Sequence, residues 1–222
     1  MTTKVVIIGA IGTAVVIAEQ IYDAQHRYNM DIEVLGFAFD DPEYIGRDIN
    51  GWPILCGTRE AWNKYRNDES VKFVFSLYSA KKMAERVKLR DSFGIPTSRY
   101  LTFIHPSAFL CKSVKVSDGV IILANTVIHS NSCIDSYTII MSNSQIGHDV
   151  HIGGGNFIGA RSCIGSFTNM QTGNFTGNNC SIRTKLTIGS YNIIGMGAVL
   201  VKSIGDCSTV VGNPAKAIGT DI

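Results

Sequence analysis

The feature that most constrains this chain is an aliphatic residue at every sixth position from Ile104 to Leu200, with Thr176 as the one exception. A helix repeats its apolar positions about every 3.6 residues and a half-buried strand about every two, so neither explains a period of six. That period is typical of a parallel β-helix, in which each hexapeptide forms one flat face of a coil. The aliphatic positions are Ile104, Leu110, Val116, Ile122, Ile128, Ile134, Ile140, Ile146, Ile152, Ile158, Ile164, Met170, Ile182, Ile188, Ile194 and Leu200.

The other positions of the hexapeptide support a triangular coil. The fifth residue is usually small, as expected if a second inward position lies beside each large aliphatic side chain. The second residue is often glycine, which we attribute to tight turns with unusual backbone angles. Three hexapeptides would complete one coil, so residues eighteen apart would stack at about 4.8 Å, and the segment would make about five to six coils. The small residues are Ala108, Thr126, Ser132, Thr138, Ser144, Ser162, Thr168 and Ala198, and the glycines are Gly147, Gly153, Gly159, Gly165, Gly177, Gly189 and Gly195.

Residues before about Leu101 follow a different pattern. Short β-branched segments alternate there with segments of helical apolar spacing, which predicts a small parallel sheet of Rossmann type. We therefore predict an α/β domain over residues 1–101, followed by an all-β domain over residues 102–222. The predicted strands are Lys4–Gly9, Ile32–Phe39 and Lys72–Ser76, and the predicted helices are Gly12–Gln25 and Ser79–Phe93.

Composition narrows the possible partners and compartments. The formal net charge of +2 over 222 residues does not favour binding to nucleic acid or to an anionic membrane. The apolar run Val5–Ala18 is too short to span a bilayer and lacks the flanks of a signal peptide, so we expect a soluble, cytoplasmic protein. Six scattered cysteines without zinc-type spacing are typical of reduced thiols. A metal pair of His148 and His151 is not expected, because hexapeptide positions three and six point in different directions.

Four motifs give the chain a resemblance to a known family. They are Gly9-Ala10-Ile11-Gly12, Gly36-Phe37-Ala38-Phe39-Asp40-Asp41, His105-Pro106-Ser107-Ala108 and, after the hexapeptides, Val211-Gly212-Asn213-Pro214-Ala215-Lys216. Together they resemble the bacterial sugar acyltransferases that include sialic-acid O-acetyltransferases and the N-acetyltransferases of bacillosamine and perosamine synthesis. The resemblance implies a left-handed β-helix, an exception to the usual crossover hand. It also implies a homotrimer with acetyl-CoA in the groove between neighbouring helices, and an amino-terminal domain that holds a nucleotide sugar.

His148, in the segment Ile146-Gly-His-Asp-Val150, resembles the catalytic histidine of that family, which is followed by an acidic residue. An imidazole titrates near neutral pH, so His148 would take a proton from the sugar amine or hydroxyl as that group attacks the thioester. Asp149 would stabilise the imidazolium. A backbone N–H from a glycine-rich corner is a candidate donor to the oxyanion, and no covalent acyl-enzyme is required.

The remaining site residues follow from the resemblance alone. By alignment, the coenzyme A contacts are Phe157, Asn178 and Met196, and the substrate contacts are Ile11, Gly12, Thr13, Asp40, Asp41 and Leu77. Lys202 and Lys216 are candidate partners of the CoA phosphates, with a solvated surface role as the alternative for each. The chain departs from the family at several of these positions. Ile11, Thr13 and Ala14 replace the serine, histidine and glycine of the usual loop, Leu77 replaces a glycine, and Phe157 replaces a second histidine. The loop also lacks the third glycine of a dinucleotide fingerprint, so NAD is not favoured.

The leading hypothesis is therefore an acetyl-CoA-dependent N-acetyltransferase that acts on a nucleotide-linked amino sugar for surface polysaccharide or glycan synthesis. O-acetylation of a sugar hydroxyl is an alternative, because the same His148 and Asp149 would serve it. A β-helix scaffold without turnover is a third hypothesis, which the altered amino-terminal loop favours and the retained histidine and aspartate oppose.

Overall fold

A computed structural model describes residues 2–44 and 46–218 of the chain, and it divides into two compact units. The first unit contains the residues up to Leu77 together with Lys88–Leu101. The second contains Tyr78–Val87 and the residues from Thr102 onward. The architecture is mixed, with many parallel strands and few helices.

The first unit is built on a five-stranded sheet with the order β3-β4-β2-β1-β5. All its pairings are parallel except that of β3 with β4. The strands are β1 (Thr3–Ile8), β2 (Ile32–Ala38), β3 (Asp48–Ile49), β4 (Trp52–Cys56) and β5 (Val71–Phe75). The described helices are α1 (Thr13–Tyr28), α2 (Ala61–Tyr65) and α3 (Met83–Ser92), with 3₁₀ turns at Pro42–Tyr44, Ala80–Lys82 and Thr97–Arg99. Of these, Ala80–Lys82 and the part of α3 up to Val87 belong to the second unit.

Three strands and the first helix lie close to where the sequence predicts them. The second predicted helix, Ser79–Phe93, is instead a 3₁₀ turn followed by α3. None of the predicted elements corresponds to β3, β4 or α2. The β3–β4 hairpin turns at Asn50 and Gly51, which both have positive φ, and an Asn-Gly pair is a recognised hairpin signal.

The second unit is a three-sided parallel β-helix. Each two-residue strand of the β-helix ends at the first-position residue of a hexapeptide, from Ile104 to Leu200. Strands eighteen residues apart pair in parallel, as Cys133 does with Lys115 and with His151. These strands are Phe103–Ile104, Phe109–Leu110, Lys115–Val116, Ile121–Ile122, Val127–Ile128, Cys133–Ile134, Ile139–Ile140, Gln145–Ile146, His151–Ile152, Phe157–Ile158, Cys163–Ile164, Asn169–Met170, Phe175–Thr176, Ser181–Ile182, Thr187–Ile188, Ile193–Ile194 and Val199–Leu200. One face is then extended by the antiparallel pair Thr209–Val211 and Lys216–Ile218.

The interior of the β-helix combines aliphatic columns with buried hydroxyl groups. The first-position residues from Ile122 to Leu200 are at most 3% exposed. The fifth-position hydroxyls donate across to the next coil, as Ser132 Oγ does to the Gly147 carbonyl at 2.8 Å. Small side chains are therefore selected here both for their volume and for a hydrogen bond that satisfies a buried backbone group.

The prediction that the second-position glycines supply unusual backbone angles is wrong. None of those seven glycines has positive φ. The left-handed conformation belongs to the fourth position, where every residue from Gly119 to Gly197 has φ between 55° and 74°. The second-position glycines instead permit close approach between coils: a Cβ at Gly159 would lie 2.5 Å from the Gly177 carbonyl carbon.

Candidate active site

His148 and Asp149 occupy the third and fourth positions of one hexapeptide, at a corner of the β-helix. Asp149 adopts the left-handed conformation with φ 55°, which asparagine and aspartate tolerate better than most other residues. The corner leaves both side chains partly open to solvent, with 49% of the His148 side chain and 36% of the Asp149 side chain exposed.

The two side chains form a hydrogen-bonded pair. His148 Nδ1 lies 2.7 Å from Asp149 Oδ2. An ionised carboxylate can only accept, so Nδ1 carries the proton and Nε2 of the neutral ring presents a lone pair. Among the described residues, none hydrogen-bonds to Nε2. Asn131 Nδ2 donates to the other oxygen of Asp149 at 3.2 Å. The bond from His148, and then the bond from Asn131, lower the pKa of Asp149, which keeps this carboxylate ionised at neutral pH.

A groove of about 270 Å³ opens beside the His148 ring. Its walls include His129, Gln145, Cys163 and Thr184. Gln145 Nε2 lies 3.3 Å from His129 Nε2, so the amide donates to a second imidazole within the same groove. His148 itself lines this groove, so a substrate bound there would lie beside the imidazole.

The Phe167 ring meets His148 edge-on, with ring centroids 5.0 Å apart and an interplanar angle of 85°. Phe167 follows Asp149 by eighteen residues, and its backbone N–H donates to the His148 carbonyl at 3.1 Å. The next residue in this stack is Lys185, whose Nζ lies 6.0 Å from the centre of the Phe167 ring. One side of the imidazole is thus covered by an aromatic side chain.

The second-position glycines of this groove cannot supply an oxyanion donor. The N–H of Gly147 donates to the Ile164 carbonyl, and the N–H of Gly165 donates to the Ile182 carbonyl, both at 2.8 Å. The expectation of a glycine N–H aimed at the reacting carbonyl is therefore wrong for these two residues, because the ladder between coils already uses their donors.

The residues aligned with coenzyme A contacts lie elsewhere on the β-helix and do not line the His148 groove. Phe157 is 8% exposed and stacks on Phe175, with ring centroids 4.7 Å apart. Asn178 Oδ1 accepts from the Ala160 N–H at 3.0 Å. Met196 is 77% exposed, and Lys202 and Lys216 are also exposed.

In the first unit, the loop after β1 meets the end of β5. Gly9 has φ 114°, and a Cβ there would lie 3.1 Å from Leu77 Cδ2. Leu77 thus covers the start of the loop, while Ile11 is 57% exposed. Gly12, with φ 61°, precedes helix α1, which begins at Thr13. The structure brings these residues to one edge of the sheet without a convergent set of polar groups.

Asp40 lines a separate cavity of about 360 Å³ in the first unit, together with Phe39, Cys56 and Glu60. Both oxygens of the Asp40 carboxylate accept from Thr58, one from its N–H at 2.7 Å and the other from its hydroxyl at 2.6 Å. Asp41 does not line this cavity. It accepts from the Glu43 N–H at 3.0 Å.

Sequence reasoning missed Asn131 and Phe167 beside the His148–Asp149 pair. A signal was present, because the two residues stand eighteen positions before and eighteen positions after Asp149. The predicted coil length would have placed them at the same corner. Their side-chain contacts could not be read from spacing alone.

Within residues 2–44 and 46–218, no three histidine, cysteine or acidic side chains are grouped so that they could hold a metal ion. None of the helices described there combines the length and the apolar character needed to cross a membrane.

No protein-family model matches the chain, but solved structures do. GDP-perosamine N-acetyltransferase from Caulobacter crescentus is 25% identical, with a TM-score of 0.81 and 97% of each chain covered. That structure is a histidine-to-alanine mutant in complex with CoA and GDP-perosamine. The acetyltransferase domain of PglB from Neisseria gonorrhoeae is also 25% identical, with a TM-score of 0.79, and 98% of this chain covers 100% of that one.

WeeI from Acinetobacter baumannii, at 21% identity and a TM-score of 0.57, supports the fold alone. The two neighbours at 25% identity are a sugar N-acetyltransferase and an acetyltransferase domain, both bacterial. The resemblance predicted from the motifs is therefore confirmed.

Proposed function

We propose that this protein is an acetyl-CoA-dependent N-acetyltransferase that acts on a nucleotide-linked amino sugar. The observation that carries the proposal is the bond between His148 Nδ1 and Asp149 Oδ2, which leaves the Nε2 lone pair available on a histidine that lines an open groove. Support comes from a structural neighbour in complex with CoA and GDP-perosamine. The match to that neighbour covers nearly the whole length of this chain.

In the proposed mechanism, His148 Nε2 accepts a proton from the sugar amine as the amine nitrogen attacks the thioester carbonyl. The tetrahedral intermediate then collapses, the carbon–sulfur bond breaks, and the thiolate of CoA takes up a proton. Asp149 stabilises the imidazolium through Nδ1, and no acyl-enzyme forms because the thioester is already activated.

We propose that acetyl-CoA lies along the corner that carries His148. The eighteen-residue register places Ser166 and Thr184 in successive coils beyond His148. Lys202 follows Val199–Leu200, the last strand of that register, and is exposed. An exposed ammonium group there suits the phosphates of CoA, and the small side chains between leave room for its extended arm.

The finer parts of the assignment rest on the family resemblance. We propose a left-handed β-helix that forms a homotrimer, with the His148 groove completed by a neighbouring subunit. The first unit is proposed to be a Rossmann-like domain that binds the nucleotide sugar, with Asp40 at the cavity between β2 and β4. The proposed compartment is the cytoplasm, where unpaired cysteines stay reduced.

The test is to mix acetyl-CoA with UDP-, dTDP- and GDP-linked amino sugars and to follow the release of free thiol. We expect turnover with at least one of them and a loss of about 100-fold or more in His148→Ala, because a positioned general base contributes at least that much. Analysis of the product distinguishes an N-acetyl group from an O-acetyl group.

His151→Ala is the matched control. Its side chain is also 49% exposed and bonds an aspartate, with Nε2 2.9 Å from Asp135 Oδ2, but it does not line the groove. We expect that variant to retain activity. No turnover with any sugar, together with no rise in melting temperature on adding CoA, would favour a scaffold.

A further inference from the structure

Three fourth-position residues at the corner that carries His148 form a column that we call the corner column: Asn131, Asp149 and Phe167. Successive members are eighteen residues apart, and all three are left-handed, with φ 62°, 55° and 60°. The Ser113 hydroxyl accepts from the Asn131 N–H at 2.9 Å, which fixes the base of the column. The column is therefore a continuous physical support along one side of the proposed general base.

Asn131 restrains the carboxylate that His148 uses. A carboxylate that is about one-third exposed can turn about its own bond and exchange its partners for water. Here Asn131 Nδ2 donates to Oδ1 while Oδ2 accepts from His148. With both oxygens engaged, the plane of the Asp149 carboxylate is set by two neighbours rather than by one.

Phe167 restrains the ring from the next coil. The edge-on contact with His148 limits rotation of the imidazole away from Asp149. A large residue with positive φ is strained, and such strain persists where the surrounding structure enforces it. Tyr137 and Tyr191 occupy the same hexapeptide position with φ 65° and 58°, so the argument for Phe167 rests on its contact with His148 and not on strain.

We infer that Asn131 and Phe167 are positioning residues, which hold the His148–Asp149 pair so that the neutral imidazole keeps its proton on Nδ1 and its lone pair on Nε2. The inference rests on the proposed function of His148 as a base. It goes further by naming two residues that act through others, without contact to the reacting atoms.

The first experiment measures the His148 tautomer by ¹⁵N NMR and the Asp149 titration by ¹³C NMR in Asn131→Gly. Glycine keeps the left-handed conformation and removes only the side chain. We expect a larger Nε2–H fraction of His148 and a rise in the pKa of Asp149, which loses one of its two stabilising bonds. In turnover, we expect roughly a tenfold loss in kcat with an unchanged KM for acetyl-CoA.

Asn125→Gly is the matched control, because Asn125 is also exposed and left-handed, with φ 58°, one coil face away. We expect native values for it in all three measurements. If Asn131→Gly matches Asn125→Gly, Asn131 does not position the pair. The NMR results do not depend on turnover, so they decide this inference even if no sugar is acetylated.

The second experiment replaces Phe167 by asparagine, which tolerates positive φ, and compares Tyr191→Asn. Both changes relieve the same backbone strain, but only Phe167 meets the His148 ring. We expect Phe167→Asn to raise the Nε2–H fraction and to lower kcat severalfold, Phe167→Tyr to keep native values, and Tyr191→Asn to change neither. A native tautomer in Phe167→Asn overturns the role of Phe167.

Discussion

Between Phe103–Ile104 and Val199–Leu200, strands of the β-helix pair with strands eighteen residues away, whereas strand partners in the first unit lie at irregular distances. Cys133 pairs with Lys115 and His151, but Val5 pairs with Val34 on one side and Lys72 on the other. The same strand pairing is thus repeated from coil to coil in the β-helix. In the first unit each strand pairing occurs once.

This difference decides where single substitutions do most harm. Each coil packs directly against the coils on both sides of it. The backbone therefore cannot shift to make room for an added side-chain atom. In the first unit, a turn can depend on a single side-chain hydrogen bond, because no repeated neighbour stabilises the same turn. The comparison predicts severe effects of added volume in the β-helix and of lost polar partners in the first unit.

The largest expected effect is that of Gly159→Ala. The added Cβ would lie 2.5 Å from the Gly177 carbonyl carbon and 2.6 Å from its oxygen, both backbone atoms. We expect the free energy of unfolding to fall by about 3 kcal/mol. Denaturant unfolding at a fixed protein concentration measures it.

Gly205→Ala provides the matched control, since a Cβ there would meet no atom within 4 Å. Its stability should change by less than about 0.5 kcal/mol. Equal effects of the two substitutions would mean that the coils can separate to accept a methyl group, and that the repeat does not constrain the second position.

The same comparison explains how much could be predicted from the sequence. In the β-helix, the period of six predicted every strand from Phe103–Ile104 to Val199–Leu200, because register follows directly from the repeat. It also placed His148 and Asp149 at a corner. What it missed was the reason for the second-position glycines, since close approach between coils depends on the backbone path and not on residue type.

In the first unit, the sequence predicted only elements with a strong local pattern. The strand Trp52–Cys56 contains Pro53 and has no alternating apolar pattern, and Ala61–Tyr65 is a single short turn of helix. Asp40 was predicted as a substrate contact from its motif. Its hydrogen-bond partner Thr58 is eighteen residues farther along the chain, in a region without a sequence repeat that would have predicted the pair. Long-range partners used once leave no periodic signal.

The second prediction concerns that pairing. Asp40→Ala removes the acceptors of the Thr58 N–H and hydroxyl, and Thr58 is 5% exposed. An unsatisfied buried donor is costly, so we expect a loss of about 2 kcal/mol in the free energy of unfolding. Thermal and denaturant unfolding, followed by Trp52 and Trp62 fluorescence, measure it within the first unit.

Asp41→Ala is the comparison, because the Asp41 carboxylate accepts from the Glu43 N–H in an exposed turn. We expect it to cost less than about 1 kcal/mol. If Asp40→Ala is as stable as Asp41→Ala, the Thr58 bonds do not hold the first unit, and the carboxylate is free for a ligand.

The smallest expected effect is at Thr176, the one break in the aliphatic column. Its hydroxyl lies 3.1 Å from the Gly159 N and 3.2 Å from the Phe157 carbonyl, and the residue is fully buried. The Gly159 N–H also donates to the Thr176 backbone carbonyl at 3.0 Å. Thr176→Val keeps that backbone bond and restores the column, so stability should change by less than about 1 kcal/mol.

Thr138→Val makes the contrast, because its hydroxyl donates to the Gly153 carbonyl at 3.0 Å and accepts from the Asn156 N–H at 3.3 Å. Asn156 is fully buried, so valine at position 138 leaves the Asn156 N–H without an acceptor. We expect the free energy of unfolding to fall by about 2 kcal/mol. The same chemical change thus has two outcomes, decided by whether the backbone keeps a second partner. Equal losses at both positions would show that a second partner of the backbone donor does not decide what the loss of a buried hydroxyl costs.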